Sequence, residues 1–272
     1  FNQRGGQNKT TNKKKSKITP VGIIFNIALI LSIAFAIIFI FLKKTSVTKT
    51  SFKDVVVMDI KGGLSYKTCM PYVQAIRKYG NSNAIRGLIL RINSPGGTVG
   101  GVQELYREII RFRSKGKVAV ATIGDIGASG GYYIAMACNH VIANPGSMVG
   151  SIGVIINTFN FSDLMRRYGI KRVVIKAGRF KDLLNFARGI DPAEIRLLNE
   201  VVNDSYLQFF QAVKKSRKNV SENILKQYCD GRIFTGNMAY KIKLVDELGG
   251  YYTAINAIKK LARMRKEPSI LI

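Results

Sequence analysis

The sequence predicts an α/β fold on a largely parallel sheet, preceded by one transmembrane helix. Three observations carry this. Short continuous apolar runs such as VVVMDI (55–60) and GLILRI (87–92) have the length and β-branched content of strands buried on both faces. Between such runs lie segments with helical period, and strand–helix alternation argues for parallel pairing. Near the N-terminus, Val21 to Leu42 form an uncharged run of 22 residues, about 33 Å as a helix, which matches a bilayer's hydrocarbon core.

Taken in order, residues 1–19 are a polar tail containing Lys13, Lys14, Lys15 and Lys17. Residues 20–42 are the anchor. The run exceeds the apolar core of a cleaved signal peptide, and no A-x-A site follows it. Six basic residues precede it and four follow closely, so the charge bias puts the N-terminus inside and the later domain outside the cytoplasm. A polar linker occupies 43–54 and one domain occupies 55–272. Within the domain, strands are expected at 55–60, 87–92 and 117–124, and in HVIAN, GSIGVII and RVVIK. Helices are expected at 70–78, 102–116, 128–138, 161–168, 192–215, 221–228, 235–241 and 251–263. Asp191-Pro192 serves as cap and first-turn proline.

Composition narrows the chemistry. The net charge of +27 suits nucleic-acid phosphates or anionic headgroups, and a Lys- and Asn-rich composition alone also accounts for it. No helix-turn-helix, zinc-finger or RNA-binding signature accompanies the charge, so no nucleic-acid partner is expected. Cys69, Cys138 and Cys229 have no metal-ligand spacing, and no metal site is expected. His140 is the single histidine, in a stretch that reads as a loop entering a strand. Ser–His–Asp, Cys–His and multi-histidine zinc chemistries are therefore disfavoured.

The most informative segment is GDIGASGGYY (124–133). A cluster of small residues ends a strand and opens a helix with Ser129 at its centre, which exposes a hydroxyl beside the free N–H groups of a helix start. NSPGG (93–97) turns the chain at a neighbouring strand end. The N–H groups of Gly96 and Gly130 together would make a two-donor oxyanion hole. A nucleophilic serine needs a base, and with His140 set aside a lysine is next. Composition cannot choose among so many lysines. Lys181, in a loop after the expected strand 171–176, is one candidate. Asp182 is expected to point away from it.

LRINSPGG, GASGGYYIA, GSIGV and the G-x-x-K-D segment at 178–182, in this order, resemble the signal peptide peptidase A family, a branch of the Clp/crotonase superfamily. The likeness spans about residues 55–250. It implies a Clp/crotonase-like fold and a Ser–Lys dyad, with Ser129 as nucleophile, Lys181 as general base, Ser151 orienting that lysine, and Gly96 and Gly130 as oxyanion donors. It further implies cleavage of remnant signal peptides and other apolar or unfolded segments, no cofactor, and assembly into a homo-oligomer, a tetramer or octamer, at the bacterial cytoplasmic membrane. The family's Ser-Pro pair after the lysine is replaced here by DLLNFARG. A crotonase-like acyl-coenzyme A enzyme and an inactive peptide-binding membrane scaffold are the competing readings.

Overall fold

The computed structural model describes residues 29–39 and 54–272. The chain divides into two units, Phe1–Ser51 and Phe52–Ile272. Of the first, one helix is described, α1 (29–39), whose Leu, Ile, Phe and Ala side chains are exposed throughout. Among the described residues no helix is long and apolar enough to cross a membrane. The rest of the expected anchor at 20–42, the tail at 1–19 and the linker up to 53 lie outside the described residues.

The second unit is built on a mostly parallel eight-stranded sheet. Its strands are β1 (Val55–Leu64), β2 (Gly87–Gly97), β3 (Val118–Ala128), β4 (His140–Ala143), β5 (Met148–Gly150), β6 (Ile233–Thr235), β7 (Glu247–Leu248) and β8 (Ile270–Leu271). The order runs β6-β5-β3-β2-β1-β8, with β4 pairing β3 and β7. β5–β6 is antiparallel. The apolar runs have the expected cause, since alternate side chains of each central strand enter different cores. Val56, Met58 and Ile60 join Leu88, Leu90 and Ile92 on one face, while Val55, Val57, Ile89 and Val120 pack on the other.

The first face is covered by α2 (Tyr66–Gly80), α3 (Val99–Ser114), α4 (Gly130–Ala135) and part of α6 (Pro192–Ser216). α2 starts four residues earlier than its period suggested. Ser65 accepts from the Thr68 N–H at 3.2 Å while Thr68 Oγ1 accepts from the Ser65 N–H at 2.8 Å, a reciprocal cap that fixes the first turn. α6 begins at Pro192 with an equivalent box between Asp191 and Glu194. The remaining helices are α5 (Ser162–Arg167), α7 (Glu222–Tyr228), α8 (Gly236–Lys241) and α9 (Tyr251–Leu261). α9 lays Ala254, Ala257 and Ile258 across the second face.

Two expected strands are corrected. GSIGVII pairs only as far as Gly150, and RVVIK forms no strand. From Ser151 to Asp191 the single regular element is α5, and Val173 and Ile175 are 84% and 98% exposed. The β-branched pattern there has no neighbouring strand within the single chain, and a strand without a partner leaves its backbone groups unpaired.

Candidate active site

The parallel register places the C-terminal ends of β2 and β3 side by side, with Ser94 opposite Gly127. Two turns meet there. In the first, Asn93 Nδ2 donates to Asp125 Oδ2 at 2.9 Å and its Oδ1 accepts from the Ile126 N–H at 3.1 Å, tying NSPGG to the end of β3. Ser94, fully buried, donates to the Gly62 carbonyl at 2.6 Å and accepts from the Gly96 N–H at 3.1 Å. These bonds hold Gly96 at φ 108. A Cβ there would lie 2.7 Å from the Gly130 nitrogen and 2.8 Å from Ser129 Cβ, so only glycine lets the turns approach this closely.

In the second turn, Ser129 follows β3 and stands at the N-cap position of α4 with φ 50 and ψ −121. A non-glycine residue at this φ is strained, and such strain gathers at functional turns. It is held by its own N–H, which donates to the Gly150 carbonyl at 2.8 Å, and by its carbonyl, which accepts from the Tyr133 N–H at 2.9 Å. The following residue, Gly130, supplies an N–H at the start of α4, where the helix provides no internal acceptor. Beside it, Ser151 is also at positive φ, 51°, and its N–H donates to the Arg232 carbonyl at 2.8 Å.

Ser129, Gly130 and Ser151 line one cavity of about 330 Å³, walled by Val102, Tyr133 and Phe209 among others. Tyr133 is clamped between Tyr106 and Phe209, with ring centroids 5.0 and 4.7 Å apart. Buried next to it, Tyr132 donates to the Leu244 carbonyl at 2.6 Å. A serine hydroxyl, a helix-start donor and an apolar wall around an open cleft are parts that an acyl transfer can use.

Lys181 does not line this cavity. It is exposed in the irregular segment, its N–H donating to the Gly178 carbonyl at 3.2 Å. The Asp182 carboxylate is committed elsewhere, to Lys176 and to Arg188 Nε at 3.0 Å. Hydrogen bonds from both hold it well below the usual carboxylate range. Arg188 also reaches the buried Glu194, whose carboxyl is brought down to about 2 by Arg188 and the Asp191 N–H. The loop carrying Lys181 is thereby pinned to the start of α6. Other residues keep the expected structural roles. His140 sits on β4 with Nε2 3.0 Å from Glu247 Oε2. The three cysteines are free and buried, and burial pushes the thiols of Cys138 and Cys229 up to about 12. Thr235 caps α8.

Ser94, Asn93, Tyr106 and Phe209 entered the site without a reading from sequence. A serine two residues before a turn glycine is a local side-chain-to-backbone signal that marks Ser94. Phe209 comes from a helix about eighty positions away and has no such signal.

Kinship, added to this fold and site, makes the chain a peptidase of the serine type. The chain belongs to peptidase family S49, whose description matches residues 111–265. It is 40% identical over 197 residues to a Synechocystis sp. protein provisionally named a protease, covering 72% of this chain and 70% of that one. It is 31% identical over 189 residues to an Enterococcus faecium protein provisionally named a signal peptide peptidase SppA (70% and 55%), and 31% identical over 193 residues to the chloroplastic serine protease SPPA of Arabidopsis thaliana (71% and 28%). The chain thus spans about half of the second relative and under a third of the last. A solved structure of the 1510-N membrane-bound stomatin-specific protease superposes with TM-score 0.51 at 16% identity, over 77% of this chain and 84% of that one. At that identity the likeness is one of fold. The resemblance to the signal peptide peptidase A family holds, and the mixed α/β, mostly parallel architecture with it.

Proposed function

We propose that this chain is a membrane-anchored serine endopeptidase working through a Ser129–Lys181 dyad. Ser129 Oγ attacks the scissile carbonyl carbon while its proton passes to the neutral Lys181 amine. The oxyanion is received by the Gly130 N–H and by the Gly96 N–H, which shares or yields its 3.1 Å contact with Ser94. Collapse breaks the C–N bond, the leaving amine takes the proton from Lys181, and water then hydrolyses the Ser129 ester by the same route. Ser151 orients the lysine. The substrates are remnant signal peptides and other apolar or unfolded segments, which suit the apolar wall of the cavity. The chain works as a homo-oligomer, a tetramer or octamer, on the outer face of the bacterial cytoplasmic membrane, with the run at 20–42 as its single span.

The observation that carries this reading is the strained backbone of Ser129, φ 50 at a strand-to-helix turn, opening on a cavity it shares with Ser151. A lysine accepts a proton only when enclosed enough to be neutral, so the exposed Lys181 must gain cover, which assembly of copies would give. The test compares cleavage of an apolar peptide by the wild type, Ser129→Ala and Lys181→Ala in equally folded preparations. Both variants should lose activity. Full activity in Lys181→Ala would remove the base.

A further inference from the structure

The parallel sheet has a second pole, opposite the cavity. Val55, Gly87 and Val118 are in register, so β1, β2 and β3 all begin there. The C-terminal ends of α2, α3 and α9 arrive at the same place. Lys115 Nζ reaches Asn81 Oδ1, Lys117 Nζ donates to the Tyr79 and Ile85 carbonyls at 3.2 and 2.7 Å, and Arg86 Nη2 donates to the Ala262 carbonyl at 2.5 Å. Beside these contacts lies an open cavity of about 470 Å³, lined by Arg86, Lys115, Lys117 and Arg263 and by no acidic residue. Burial and the neighbouring Lys115 push the Lys117 amine below its ordinary range. Lys260 in the last turn of α9 and Arg265 and Lys266 beyond it extend the charge along the chain, and half-exposed Leu261 sits on the rim. Two acids lie nearby. Glu267 is paired with Lys259, and Asp54 accepts from the Ser269 N–H at 2.8 Å.

Basic residues in a last helical turn complement the helix dipole, which accounts for Lys78 and Lys260. It does not account for Arg86, Arg265 or Lys266, which lie outside helices. Among the described residues, none of Arg86, Lys115, Lys117, Arg263, Arg265 and Lys266 forms an ion pair with a carboxylate. Chain continuity selects the partner. β1 enters from this pole, and twelve residues, 43–54, separate it in sequence from the apolar run ending at Leu42. That distance is at most about 40 Å when fully extended.

We propose that this basic pole is a docking face for anionic phospholipid, with headgroup phosphates entering the cavity at Arg86, Lys115 and Arg263 and Leu261 meeting the interface. Phosphate contacts of this kind are salt-sensitive, and each basic residue near an anionic bilayer strengthens binding about fivefold. Docked so, the domain holds Ser129 roughly 30 Å from the headgroups, the length of β3. The proposal rests on the anchored reading only in taking a bilayer to be the nearby surface.

The test uses the full chain with phosphatidylcholine vesicles and with vesicles containing 30 mole percent phosphatidylglycerol, reading flotation and hydrogen exchange. On anionic vesicles the segments 81–86, 111–118 and 259–267 should gain protection that 0.5 M salt removes. The combined variant Arg86→Gln, Lys115→Gln, Arg263→Gln, Arg265→Gln should lose that protection, at least tenfold in lipid dependence, while its peptidase activity in detergent is unchanged. Flotation with both vesicle types but no protection at this pole overturns the docking face and leaves the anchor standing. Flotation on anionic vesicles only, with protection, supports the face and removes the anchor. An RNA oligonucleotide that protects the same segments at equal ionic strength, where anionic vesicles do not, also overturns it.

Discussion

At the scale of single residues, the centre of the site is made of positions where the side chain is small and the backbone unusual. Ser129 and Ser151 both stand at positive φ, and Gly96 at φ 108 fits against Ser129 and Gly130. Gly96→Ala would push a methyl to within 2.7 Å of the Gly130 nitrogen. Displacing one oxyanion donor typically lowers kcat by about 10² to 10³. Gly96→Ala should show that loss with KM little changed, and a normal rate in this variant would remove Gly96 from the reaction. Ser151→Ala deletes a hydroxyl and keeps the backbone, so an orienting role should appear as a lower kcat with a displaced acidic limb of the pH profile, the limb set by deprotonation of the base. An unchanged profile would reduce Ser151 to cavity wall. The close meeting of the turns at 93–97 and 124–133 was legible because small residues at strand ends let two backbones approach, whereas a Gly/Ser-rich turn alone says little of its chemistry. Lys181 was not legible without a family resemblance, because a lysine's role depends on what encloses it, and a chain with 43 Lys and Arg offers no contrast.

At the scale of elements, periodicity found the central strands and most helices because both faces of the sheet are covered. It failed at 171–176, where β-branched residues stand without a pairing partner, and at β6, β7 and β8, which have only two or three residues each. Such short strands exist through neighbours distant in sequence, such as β6 against β5. The packing of α9 makes a quantitative expectation. Ile258 is fully buried against Val55, Val57, Ile89 and Val120, so Ile258→Ala should cost about 2–5 kcal/mol, read by denaturant unfolding. The Lys181 loop makes another. Asp182 and Glu194 are both held below their unfolded values by Arg188, so their contribution is full above about pH 4.3 and is lost as pH falls through the lowered values, near 2 for Glu194. Hydrogen exchange at 171–190 should therefore rise between pH 4 and 2 ahead of the sheet, and Arg188→Ala should produce that loosening already at pH 7. Equal protection in the variant at pH 7 would show that the ion pairs do not hold the loop.

At the scale of the molecule, the domain has its two proposed sites at opposite poles, with Ser129 at the C-terminal strand ends and the chain entry and basic cavity at the other. One part remains incomplete in a single copy. The proposed base lies outside the cavity, on a segment whose neighbours Ile155, Phe159, Val173 and Ile175 are between 74% and 98% exposed. Apolar side chains gathered in this way call for cover, and unpaired extended backbone beside them offers edges for pairing. A second copy of the chain, as in the proposed homo-oligomer, would provide both and would enclose the lysine amine as proton transfer requires. If the base of one copy serves the serine of the next, Ser129→Ala and Lys181→Ala subunits, each inactive alone, should recover activity when co-assembled, since mixed contacts then contain one intact pair. Val173→Asp with Ile175→Asp should lower the mass measured by light scattering and abolish cleavage together. Co-assembled variants that stay inactive, or a monomer that cleaves at the wild-type rate, would show instead that the loop closes onto the cavity of its own chain.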